Sequence, residues 1–117
     1  MIKNKTGVWG ELYAARYLRD NKYRIITSGY SCRFGELDLV AMQGDTLCFV
    51  EVKTRSEDTL TRPMEAVDEW KQERIRLAAQ SFLSYSKLEN EMRFDVCEVY
   101  LDGENRAVKI NYIENAF

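Results

Sequence analysis

Asp38 and the triplet Glu51-Val52-Lys53 are the residues of this chain best suited to chemistry. Two carboxylates a few ångströms apart repel each other, and a divalent ion turns that repulsion into ligation. An ion so held lowers the pKa of a bound water and polarises a phosphoryl oxygen. Lys53 beside it can orient the water or neutralise developing charge. Phosphodiester hydrolysis has these requirements. The Val52 backbone carbonyl, between Glu51 and Lys53, adds a candidate metal oxygen. Glu11 and Glu36 are candidates for completing a second ion or for supporting the first. By itself the pattern also fits a cross-strand ion pair of Asp38 or Glu51 with Lys53, worth about 0.2–1 kcal/mol.

The elements around these residues must place them together. Residues 35–54 read as two strands joined by Gln43-Gly44-Asp45. In a strand, side chains two apart share a face. Leu37 and Leu39 then face one way, with Glu36 and Asp38 opposite. Val50 and Val52 face one way, with Phe49, Glu51 and Lys53 opposite. The spacing predicts a helix over residues 7–20, with Val8, Leu12, Ala15 and Leu18 as its apolar stripe. Glu11 falls inside that stripe, where a carboxylate is costly unless paired or bound to metal. Trp9, Tyr13 and Tyr17 form a second stripe suited to packing or to a protein interface.

Tyr23–Thr27 is rich in aromatic and β-branched residues and reads as a strand. A polar loop over residues 54–62 follows the hairpin. A second helix is expected from Pro63, suited to a first helical position, to about Tyr85. Glu65, Asp68 and Glu69 suit the positive end of its dipole. Met64, Val67, Ile75, Ala78, Phe82 and Tyr85 form its apolar face, with Trp70 at the margin. Lys71 falls in the middle of that face and Arg74 beside it. Their stems either snorkel over the core or point toward an anionic site. Residues 93–101 and 107–113 read as two more strands, joined by Asp102-Gly103-Glu104-Asn105. The order α-β-β-β-α-β-β predicts an α/β fold, a mixed sheet of about five strands flanked by helices.

Composition bounds the chemistry. The chain has 117 residues and no histidine, which removes His-ligated zinc and His-assisted nucleophiles. A metal site must therefore be built from oxygens, which favours Mg²⁺ or Mn²⁺. A 45% hydrophobic and 31% charged chain suits one globular domain. No apolar run approaches the ~20 residues that span a bilayer, and no apolar segment follows Met1–Lys5 as in a secretory signal. Cys32, Cys48 and Cys97 lack metal or redox spacing and read as reduced thiols in the cytoplasm. Net charge is −2 but uneven. Residues 1–34 hold seven basic and two acidic side chains, a balance of +5, against ten and seventeen in the rest, a balance of −7. A basic first third can meet phosphates locally.

Asp38 … Glu51-Val52-Lys53 resembles the PD-(D/E)xK nuclease motif. Over nearly its whole length the chain is similar to the uncharacterised bacterial YraN-like family, which resembles archaeal Holliday junction resolvases. The matching pieces include Gly10-Glu11, Cys32–Ala41, Phe49–Arg55, Glu65-Ala66-Val67, Lys71-Gln72 and Arg93–Val96. The resemblance implies a restriction-endonuclease-like fold, with Asp38, Glu51 and Lys53 as the catalytic core and Glu11 as a helix-borne acid. It raises Lys71 and Gln72 to accessory residues. Arg33, Arg55 and Arg74 become candidate nucleic-acid contacts, DNA the candidate partner, and a homodimer the assembly that paired cuts in a junction favour. The chain departs from the family at Gly29, Ser31, Thr61 and Tyr112, where Asn, Arg, Gly and His are common. A nucleic-acid-binding module with little or no turnover, or a protein-interaction domain using Trp9, Tyr13 and Tyr17, remains an alternative from sequence.

Overall fold

The computed structural model describes residues 5–60 and 67–117, with side chains from residue 7 onward. Thr61, Pro63, Met64 and Glu65 lie outside the described residues. The elements are helix α1 (Lys5–Asp20), strands β1 (Arg24–Cys32), β2 (Gly35–Gln43) and β3 (Thr46–Ser56), helix α2 (Glu69–Ser86), and strands β4 (Glu91–Leu101) and β5 (Ala107–Ile113). A single 3₁₀ turn, Glu57–Thr59, follows β3. The α-β-β-β-α-β-β order and the mixed sheet are as the sequence predicts.

The strands lie in the spatial order β1-β2-β3-β4-β5. All neighbours are antiparallel except β3 and β4, which run parallel with Glu51 beside Val96 and Lys53 beside Glu98. That one parallel pair needs a crossover, and α2 supplies it. Strand alternation gives the sheet two apolar faces. Leu39, Cys48, Val50, Cys97 and Val99 pack with Ala14, Ala15 and Leu18 of α1. Val40, Leu47, Phe49 and Val96 pack with Ile75, Ala78, Ala79 and Phe82 of α2. The β2–β3 turn has Gly44 at φ +58, a conformation glycine adopts without strain.

Five expectations change. Helix α1 docks on the line Gly10–Ala14–Leu18, because Gly10 lies against the Thr54 side chain of β3 with no room for a Cβ. The helix is thereby rotated, and Val8 and Leu12 of the expected core stripe are 45% and 57% exposed. Helix α2 begins at Glu69 rather than at Pro63, because Asp68 caps it by accepting the Lys71 N–H at 2.8 Å. Strand β1 is longer than expected and runs to Cys32, with a register shift between Ile25 and Thr27. In β2 the alternation fails at Asp38: Leu39 joins the α1 side of the core and Leu37 the α2 side. Tyr85 is exposed rather than part of the α2 core.

Tyr13 and Tyr17 are used internally. Tyr13 Oη donates to the Asn105 carbonyl at 3.1 Å, and Tyr17 stacks on Tyr112 of β5. Among the described residues no helix is long and apolar enough to cross a membrane. Cys32, Cys48 and Cys97 are free thiols.

Candidate active site

The β2–β3 ladder runs from Gln43 and Thr46 to Leu39 and Val50. One residue further on, the Asp38 side chain takes over a backbone role: its Oδ2 accepts the Val52 N–H at 2.9 Å. That bond anchors the carboxylate at the opening between the strands, beside Glu51 and Lys53. The broken alternation at Asp38 and this side-chain bond are two views of one local departure from regular strand geometry.

Glu51 projects toward the α2 face next to buried Phe49 and Val96. Its side chain is only 13% exposed, and Lys71 Nζ of α2 lies 3.6 Å from its Oε1. Burial pushes the Glu51 carboxyl up to about 7, and the Asp38 carboxylate adds to the push. Lys71 and then Lys53 act in the opposite direction without cancelling it. Asp38, Glu51, Lys53 and Lys71 therefore share one electrostatic neighbourhood, assembled from β2, β3 and α2.

This donor set fits a hard divalent cation. Two carboxylates press on each other in a partly desolvated place, and a cation there would remove the repulsion that raises the Glu51 carboxyl. Among the described residues no three acidic or cysteine side chains converge as a complete metal cage. Asp38 and Glu51 are thus the side-chain donors at hand. An octahedral ion would draw its remaining ligands from backbone oxygen, such as the Val52 carbonyl, from water and from substrate phosphate.

The other sequence-selected residues are placed differently. Glu11 shares the docked face of α1 with Ala14, Ala15 and Leu18 and is half-buried, lining a groove with Ala15, Arg19, Ile25, Ser28 and the buried Leu39. Glu36 lies in a cleft with Phe34, Trp70, Lys71, Arg74 and Ile75, which adjoins Glu51 through Lys71. Gln72 braces the entry to α2, donating from Nε2 to the Val67 carbonyl at 2.8 Å. The Arg33 and Arg74 guanidiniums sit over the Phe34 and Trp70 rings, at 4.7 and 5.2 Å.

Arg55 is held from below by a residue that sequence reasoning missed. Glu98 of β4 is fully buried, and its Oε2 lies 3.8 Å from Arg55 Nε. Glu98 Oε1 accepts from Tyr100 Oη at 3.3 Å and from Asn111 Nδ2 at 3.2 Å. Among the described residues Glu98 Oε2 and Arg55 Nη2 have no hydrogen-bond partner. The signal available in sequence was a lone carboxylate inside the apolar run Val96–Leu101, which in a sheet covered on both faces must be buried.

A second buried acid, Asp95, is structural. It accepts from Arg93 Nε and Nη2, from Tyr112 Oη at 2.6 Å, and from the Asn115 N–H. Burial, then Asp95 itself, raises the Tyr112 hydroxyl far above its ordinary value.

A model of the uncharacterised protein family UPF0102 matches residues 10–99, a span containing every residue of the site. The chain is 42% identical to a UPF0102 protein of Alkaliphilus oremlandii, the match covering 99% of this chain and all of that protein. It is 40% identical to one from Caldicellulosiruptor saccharolyticus, over the whole of both chains. One from Moorella thermoacetica is 41% identical over all of this chain and 98% of its own.

Proposed function

We propose that this chain, which belongs to the uncharacterised protein family UPF0102, is a Mg²⁺- or Mn²⁺-dependent endonuclease of the PD-(D/E)xK kind. Its substrate is DNA, with branched or otherwise structured DNA foremost. The observation that carries this reading is the pairing of Asp38 with a largely buried Glu51 between Lys53 and Lys71. An ion pair needs one acid and one base. Two acids pressed together at the cost of a raised carboxyl suit a cation site.

A divalent ion held by Asp38, Glu51 and the Val52 carbonyl would supply an acidified water and a polarised phosphoryl oxygen. The chain's own residues do the rest. The Val52 N–H fixes the Asp38 carboxylate beside Glu51. Lys53 stands on the Glu51 face of β3, placed to orient the attacking water and offset charge on the phosphorane. Lys71, half-exposed, is placed to leave Glu51 for a substrate phosphate once a cation takes its position. Resolution of a four-way junction takes two cuts, so on that substrate two copies would act about a two-fold axis. Unpaired Cys32, Cys48 and Cys97 suit a reducing cytoplasm.

The test is cleavage of linear duplex, single-stranded and four-way DNA with Mg²⁺ or Mn²⁺. Wild type cuts. Asp38→Asn and Lys53→Ala each fall by about 10²–10³, the loss typical of one removed electrostatic stabiliser. No cutting by wild type, or equal cutting by the two variants, overturns the reading. DNA binding without cutting identifies a binding module instead, and affinity that ignores salt excludes DNA phosphate contact altogether.

A further inference from the structure

Trp70 lies in the first turn of α2 and is 68% exposed. An indole so open to water is unusual in a chain with a well-filled core. Its ring carries the Arg74 guanidinium at 5.2 Å. Phe34, at the β1–β2 turn, carries Arg33 at 4.7 Å. The two rings line one cleft, together with Glu36, Lys71, Arg74 and Ile75. Lys71 ties that cleft to Glu51 at 3.6 Å, so it opens beside the candidate active site.

We propose that the Trp70–Phe34 cleft is a stacking site for an unpaired nucleotide of the DNA strand adjoining the bond to be cut. The inference rests on the nuclease reading for its substrate and names what that substrate must contain. Aromatic faces backed by guanidiniums are the common platform for bases of single-stranded nucleic acid. Bases inside a duplex already stack on their neighbours and have no free face to offer. The cleft is more than an anion pocket, because Glu36 lines it beside Lys71 and Arg74. A carboxylate suits instead the exocyclic amine of a base, as in direct readout of cytosine. Arg74 and Arg33 remain available to the phosphates on either side. The site thus favours flaps, gaps and open branch points over continuous duplex.

The probe is a duplex bearing a short unpaired flap, compared with the same molecule whose flap sugars are abasic. Binding is measured by anisotropy in EDTA, so that it does not depend on cutting. Removing the bases weakens wild-type binding about tenfold or more, the range expected for one or two stacked bases. Trp70→Ala loses the same factor on the intact flap and no longer distinguishes the two probes. Its binding to continuous duplex stays within about twofold of wild type. Trp70→Phe restores most of the discrimination, which a merely misfolded variant would not allow. A wild type indifferent to abasic flaps, or a Trp70→Ala protein that still discriminates, overturns the proposal. Cleavage without this discrimination refutes the stacking site alone. Discrimination without cleavage refutes the nuclease reading and leaves the cleft as a binding site.

Discussion

Glu51→Gln should make the metal-free protein more stable, an outcome opposite to that of removing an ordinary ion pair. In the folded chain the Glu51 carboxyl is raised from 4.5 to about 7, first by burial and then by Asp38. A raised carboxyl binds its proton more tightly folded than unfolded, so stability falls as pH climbs from near 4.5 through about 7. At about 1.36 kcal/mol per pH unit the full effect is roughly 3 kcal/mol. The side chain is mostly buried, so little of this is lost to solvent screening. Glutamine mimics the neutral acid and escapes the penalty. Urea denaturation in EDTA should show the variant more stable by roughly 3 kcal/mol near pH 8.5, shrinking below about 1 kcal/mol near pH 5. The lost contact with half-exposed Lys71 subtracts only a few tenths of that. Millimolar Mn²⁺ should reverse the order, stabilising wild type and leaving Glu51→Gln nearly unmoved. A Gln variant no more stable than wild type at high pH would refute the claim that Glu51 is held against its preference.

Other outcomes follow from the same contacts. Gly10→Ala should destabilise by about 1–3 kcal/mol, because its Cβ meets the Thr54 side chain, and Thr54→Ala in the same chain should recover most of that in a double-mutant cycle. Asp95→Asn should cost about 3–5 kcal/mol by chemical denaturation, leaving the largely buried Arg93 with only the more distant, exposed Glu114 as a charged partner. Tyr112→Phe should cost about 1.5–3 kcal/mol through the lost bond to Asp95. Lys71→Ala should push the Glu51 carboxyl further up, visible in a carbon-13 titration of the side chain, since Lys71 is the main group holding it down.

Sequence reasoning reaches furthest where one periodicity decides. In β3 the split of Val50 and Val52 from Phe49, Glu51 and Lys53 follows from alternation alone, and the two cores divide along it. Helix α1 was legible as an element but not in its rotation. Val8 and Leu12 fit the wheel as well as Ala14 does, and only the close approach of Gly10 to Thr54, a long-range fact, decides which side docks. The start of α2 was set too early because Asp68, read as a residue within the helix suited to its dipole, is instead its N-cap. At Asp38 alternation misleads: the strand gives up its regular pattern where the side chain replaces a ladder bond. The burial of Glu98 was legible as a lone carboxylate in an apolar run, but its place beside Lys53 depends on the parallel pairing across the α2 crossover, which no local pattern encodes.

The central claim is that Asp38 and Glu51 form a divalent-cation site. Anomalous diffraction at the manganese edge, from crystals grown with Mn²⁺, tests it most directly. The account predicts a single strong peak bonded to both carboxylates at about 2.2 Å, with Lys71 moved off Glu51. A peak elsewhere, or none, with Lys71 still seated on Glu51, would contradict it.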